Sequence, residues 1–258
     1  MSNATPPRRR FLLGAGLAGT AAAAGLAGGL ASPARAEAPG ASQTPASPAS
    51  ASGQSSAAPA AASTAAPVEA MLTLTETEAA FVSAAVDTLI PADDLSPSGS
   101  DCGLVTFIDR QLASDWGGGA KMYRSGPFHK GKPEQGYQLA LTPRQFFQTG
   151  IAEVNAWSRK THGKEFDRLA PADRVAAMQA MEGGKLELAS LGSRPFFDAL
   201  LAITMEGFFS DPAYGGNRNY AAWRMVGFPG LPATYADKFE EFRDKRYVAQ
   251  PRSISDFS

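Results

Sequence analysis

Cysteine and histidine are nearly missing from this chain: its 258 residues include one cysteine, Cys102, and two histidines, His129 and His162. A single thiol rules out an internal disulfide, a C-x-x-C-H haem attachment and the thiolate set of an iron–sulfur cluster. In an oxidising compartment it leaves Cys102 as a buried thiol or as a bond to another chain. The histidines lie far apart in sequence, one in a glycine-rich loop and one at an expected helix end, and neither has metal-ligand spacing. Also missing are a strand followed by a dinucleotide glycine fingerprint, a G-x-x-x-x-G-K loop and a G-x-S-x-G elbow. No nucleotide cradle or activated nucleophile is therefore visible. Asp87, Asp93 and Asp94 in "DTLIPADD" could pair for acid–base work, but a solvated helix end with turn-forming aspartates is the preferred reading.

Long apolar runs are confined to the N-terminus. Arg8, Arg9 and Arg10 precede "FLLGAGLAGTAAAAGLAGGLASPA", and Ala34-Arg35-Ala36 follows. Basic residues, an uncharged core and a small-residue triplet are the parts of an export signal, with a cut expected after Ala36. Arg8 and Arg9, followed by Phe11 and Leu12, match a twin-arginine signal. A retained membrane anchor is the competing reading, because the run is long enough to span roughly 30 Å of hydrocarbon. The twin-arginine route carries folded cargo, so any cofactor belongs to this chain or to a partner beside it. Residues 37–67 are almost wholly Ala, Ser, Pro and Gly without an aromatic, which reads as a disordered linker.

Residues 68–258 remain as one domain, ample for a core of its own. Cleavage removes four arginines from the 24 Lys+Arg and none of the 25 Asp+Glu, leaving the mature protein mildly acidic. No basic tract points to nucleic acid or anionic lipid, and contact with the membrane is expected only through a complex.

Strand-like alternation is absent, and helical spacing is frequent. Thr75 and Glu78 form a capping-box pattern ahead of Phe81, Val82, Ala85, Val86 and Leu89, with Pro91 as the stop. A second helix is expected from Asp101 to about Ser114. A third starts at Thr142-Pro143 with Gln145 and closes at His162-Gly163. Two more are expected over Pro171 to Glu182 and Arg194 to about Phe209. The fold class is all-α, a single domain of about five main helices with long ordered loops.

Glu206 to Gly230, "EGFFSDPAYGGNRNYAAWRMVGFPG", concentrates glycine, aromatics and asparagine. It could cradle a phosphate, hold a catalytic group around Asp211 and Arg218, or shape a surface. The glycines read as turns, and Asn217 and Asn219 as backbone hydrogen-bonding residues. Tyr214, Arg218, Tyr220 and Trp223 are residue types that anchor protein interfaces, although a loop that locks its own helices together would use the same residues.

Four strings, "DTLIPADDLSP" (87–97), "FIDRQL" (107–112), "YRSGP" (123–127) and "TMEGFFSDPAYGGNRNYAAWRMVGFPG" (204–230), closely resemble the gluconate 2-dehydrogenase subunit 3 family. The resemblance implies the small subunit of a periplasmic dehydrogenase complex at the cytoplasmic membrane. Its expected partners are an FAD-containing large subunit and a multihaem cytochrome c subunit carrying c-type haem, with the twin-arginine translocase during export. It implies no cofactor and no catalytic residue in this chain, whose part is to bind, stabilise and escort the flavoprotein. Cys102, Tyr214, Arg218, Tyr220 and Trp223 are the candidates for partner contact. An exported scaffold with an unrelated partner is the alternative.

Overall fold

A computed structural model describes residues 70–129, 131–132, 135–231 and 234–257. The expected export signal, with Arg8, Arg9, Phe11 and Leu12, and the expected linker lie outside these residues. Among the described residues there are six α-helices and no strand; only two isolated bridges occur, Glu187 with Gly192 and Gly230 with Arg252. No helix among them is long and apolar enough to cross a membrane.

Helix α1 (Glu76–Leu89) begins at the expected capping box: the Thr75 N–H donates to Glu78 Oε2 at 2.8 Å and the Glu78 N–H to Thr75 Oγ1 at 3.3 Å. Two donors that a helix start leaves unpaired are thereby satisfied. Helix α2 (Leu104–Ala113) starts three residues later than the spacing predicts. Gly103 sits at φ +82°, a left-handed conformation that cannot continue a right-handed helix. Ser100 just before it is tied to α1, donating through N–H and Oγ to Asp87 at 2.8 and 3.0 Å.

Helix α3 (Pro143–His162) has its own capping box, Thr142 with Gln145, and ends on left-handed Gly163. Arg144 at its start donates to the Leu112 and Ala113 carbonyls, 2.7 and 3.1 Å away, and so satisfies acceptors left open at the end of α2. Helix α4 (Pro171–Glu182) keeps the expected limits. Helix α5 (Ser193–Phe209) starts one residue earlier than expected, and α6 (Ala221–Val226) was not expected at all. Six residues hold too little periodicity to signal a helix.

Helix α5 is the central element and packs against α1, α2, α3 and α4. Phe196 on it meets Phe81, Phe146 and Phe147 with ring centroids 6.1 to 6.4 Å apart, and Phe81 lies 4.8 Å from Phe166. Gly150 lets α3 come this close, because a Cβ there would meet the Phe196 ring at 2.2 Å. The chain enters the domain over buried Asp109 of α2, whose carboxylate accepts the N–H groups of Leu72, Thr73 and Leu74 at 2.6, 2.9 and 2.8 Å.

Candidate functional site

The 206–230 segment leaves α5 through a series of close backbone approaches. A Cβ on Gly216 would stand 2.2 Å from the Gly207 carbonyl oxygen, and one on Gly103 would stand 2.3 Å from that of Gly215. Glycine is required on both sides, so that the loop can lie directly against α5 and the start of α2. The Arg218 N–H then donates to the Cys102 carbonyl at 3.0 Å and fixes the loop to α2.

Asn217 carries the turn. It is fully buried at φ +46°, its Nδ2 donates to the Ser210 carbonyl at 2.9 Å, and its Oδ1 accepts the Ala222 N–H at 2.9 Å. One side chain thus joins the end of α5 to the start of α6. Asn219 and Tyr220 are also left-handed, at φ +55° and +57°. Such backbone is costly for a non-glycine residue and persists where surrounding contacts impose it.

Those contacts come from the far end of the chain. The Ser253 hydroxyl donates to Asp211 Oδ1 at 2.6 Å, and the Ile254 N–H to Asp211 Oδ2 at 3.0 Å. Asp256 Oδ2 accepts the Tyr220 hydroxyl and the Ser253 N–H, both at 2.7 Å. The N–H of Ser253, and then the Tyr220 hydroxyl, hold the Asp256 carboxyl below the usual carboxylate range. Reciprocally, donation to Asp256 raises the Tyr220 phenol above its ordinary value. Gly230 pairs with Arg252, where a Cβ would stand 2.2 Å from the Arg252 carbonyl oxygen.

These positions separate the expected partner-contact residues. Trp223 is 6% exposed and its Nε1 donates to the Phe209 carbonyl at 2.9 Å, so it locks the chain's own helices together. Cys102 is 1% exposed with Sγ 3.7 Å from the Pro97 carbonyl, a buried thiol. Tyr220 is partly buried and spent on the tail, whereas Arg218 and Tyr214 are exposed. Asp211, once a candidate centre of catalysis with Arg218, is occupied by Ala213, Ser253 and Ile254.

The remaining candidates take structural places. Asp93 accepts the Leu95 and Ser96 N–H groups in a turn. His162 ends α3 with its ring 5.5 Å from Trp157, and His129 lies exposed in its loop. Among the described residues no group of three or more His, Cys, Asp or Glu could hold a metal ion.

Sequence reasoning missed two features. The tail over 250–257 bears no helical period, and its bonds to residues some 40 positions away leave no local trace. Arg224 on α6 was also passed over; with Arg218 it lines a groove of about 470 Å³ beside Leu95, Pro97 and Met225.

Compared with known proteins, residues 76–230 match a family model described as gluconate 2-dehydrogenase subunit 3. No curated protein and no solved structure matches.

Proposed function

The chain belongs to the gluconate 2-dehydrogenase subunit 3 family, and we propose that it is the non-catalytic small subunit of a flavin-dependent dehydrogenase complex in the periplasm. In this reading it binds and stabilises an FAD-containing large subunit and escorts it, folded, through twin-arginine export. A multihaem cytochrome c subunit with c-type haem completes the assembly and holds it at the membrane. The observation that carries the proposal is the family match, which spans all six helices and the 206–230 loop.

Two further features support it. The signal beginning at Arg8 and Arg9 belongs to a route for folded cargo. Along the 206–230 segment, Tyr214, Val226 and Phe228 remain exposed at 51%, 57% and 44% although they are large and largely apolar, which leaves them available to a partner.

The test is co-expression with the flavoprotein followed by fractionation. The wild-type chain brings flavoprotein and dehydrogenase activity into the periplasm, and the Arg8→Lys/Arg9→Lys double variant leaves both in the cytoplasm. The isolated chain shows neither flavin nor haem absorbance. Stoichiometric flavin on it, or normal periplasmic activity with the double variant, overturns the reading.

A further inference from the structure

We propose that the groove between the 95–101 loop and α6 receives an acidic segment of the large partner subunit, whose carboxylates pair with Arg218 and Arg224. The inference rests on the accessory-subunit reading and adds the docking site and the chemistry of what enters it.

Charge is the first argument. Among the described residues, the Arg218 guanidinium has no hydrogen-bond or carboxylate partner, and Arg224 has only the face of Tyr220, with 5.8 Å from its Cζ to the ring centroid. Some surface arginines find carboxylates, Arg159 with Glu165, Arg194 with Asp198, and Arg243 with Glu240, whereas Arg218 and Arg224 share one groove without one. Two exposed guanidinium groups on one groove offer planar donor forks that match carboxylate geometry.

Apolar side chains share the lining. Leu95, Pro97 and Met225 line the same space of about 470 Å³. Arginine and methionine are among the residues enriched at protein interfaces. Asp101 also lines the groove, where its carboxylate accepts the Ser98 hydroxyl at 2.9 Å and forms no ion pair with either arginine.

Rigidity is the second argument. Arg218 stands on the left-handed Asn217–Tyr220 turn, which the Cys102 carbonyl and the C-terminal tail hold in place. Arg224 projects from α6, whose start is tied down by Asn217. A preset pair of cations loses less conformational freedom on binding than a flexible pair.

The experiment titrates the purified full chain with the flavoprotein at several salt concentrations. Arg218→Glu/Arg224→Glu raises the Kd at least about tenfold and flattens its salt dependence. Its Tm changes little, since the Arg218 guanidinium makes no bond to the fold and Arg224 gives up only its 5.8 Å contact with the Tyr220 ring. Leu95→Asp raises the Kd as well, with an unchanged salt slope for neutral Leu95→Ala. An unaltered Kd and salt slope in the double variant, while the wild-type chain binds, overturns the groove assignment and leaves the accessory reading standing. Failure of the wild-type chain to bind flavoprotein overturns both. Displacement of the flavoprotein by free gluconate at millimolar concentration, reversed in the double variant, makes the groove a small-anion site instead and overturns the partner-segment assignment.

Discussion

The indole Nε1 of Trp223 donates to the carbonyl of Phe209 across 2.9 Å, joining short helix α6 to the last residue of long helix α5. The indole also packs edge-on against Phe228, with centroids 5.0 Å apart, beneath the Gly230–Arg252 pairing.

Trp223→Ala should therefore act on folding. Removing a buried tryptophan costs about 3–5 kcal/mol, measured as a shift in the urea midpoint. Trp223→Phe keeps most of the packing and loses the bond to Phe209, costing roughly 1 kcal/mol beyond the smaller ring. A Trp223→Ala protein of wild-type stability with weakened flavoprotein binding would return the residue to the interface.

Asp109 holds the entry of the chain through three backbone N–H donors. Asp109→Ala strands those donors and costs on the order of 3 kcal/mol, because bonds to a charged acceptor are among the stronger ones. Hydrogen exchange at Leu72, Thr73 and Leu74 accelerates in the variant, while exchange in the centre of α5 follows only the global loss. Unchanged protection at these three amides contradicts the assignment.

The tail contact has a pH window that follows from Tyr220 and Asp256. The Asp256 carboxyl is held below its ordinary value. Its contribution is present above the unfolded carboxylate range and is lost as pH falls through the folded one. The Tyr220 phenol is raised, so its contribution is present below the ordinary tyrosine range and is lost as pH rises through the folded value. Proteolysis of the C-terminal tail should be slowest between these limits and faster at both ends. In Tyr220→Phe the alkaline limb is reduced, the raised Tyr235 phenol on the Gly230 carbonyl keeping part of it, and in Asp256→Asn the acid limb is reduced.

Gly216→Ala places a methyl 2.2 Å from the Gly207 carbonyl oxygen, a backbone atom that cannot swing aside. We expect a loss of about 1–3 kcal/mol, the usual range for overpacking, and faster proteolysis of the loop. Gly163→Ala is a useful contrast, since nothing lies within 4 Å of its Cβ and only the φ of +70° opposes it. Its cost should be near 1 kcal/mol.

Cys102 predicts its own chemistry. At 1% exposure the thiol should react with a disulfide reagent only as fast as the domain opens, and promptly in urea. Non-reducing electrophoresis of the complex should show no heavier band containing this chain. A reductant-sensitive band would require the turn ahead of α2 to open on assembly.

Much of the helical frame was legible in the residues. Thr75 with Glu78, and Thr142-Pro143 with Gln145, are local devices whose whole mechanism lies within one turn, and both caps form as their spacing demands. The apolar periods of α1, α3, α4 and α5 state which face turns inward for the same reason. The long "GGNRN" string was legible as a family mark and as a set of turns, because glycine and asparagine tolerate left-handed backbone.

What the tertiary structure decided was who meets whom. Gly103 stops α2 short, for its left-handed φ accompanies a contact with Gly215 over a hundred residues away. Trp223, Tyr220 and Cys102 have the composition of a surface or of a core equally well, and only the positions of Phe209 and Pro97 assign Trp223 and Cys102 inward, while Asp256 ties Tyr220 to the tail. Arg218 and Arg224 remain outward because no described carboxylate lies near enough to pair with them. Local sequence thus determines caps, turns and the buried face of a helix, since those interactions span a few residues. Which polar groups are consumed inside the fold and which are left for a partner depends on atoms brought together from distant parts of the chain.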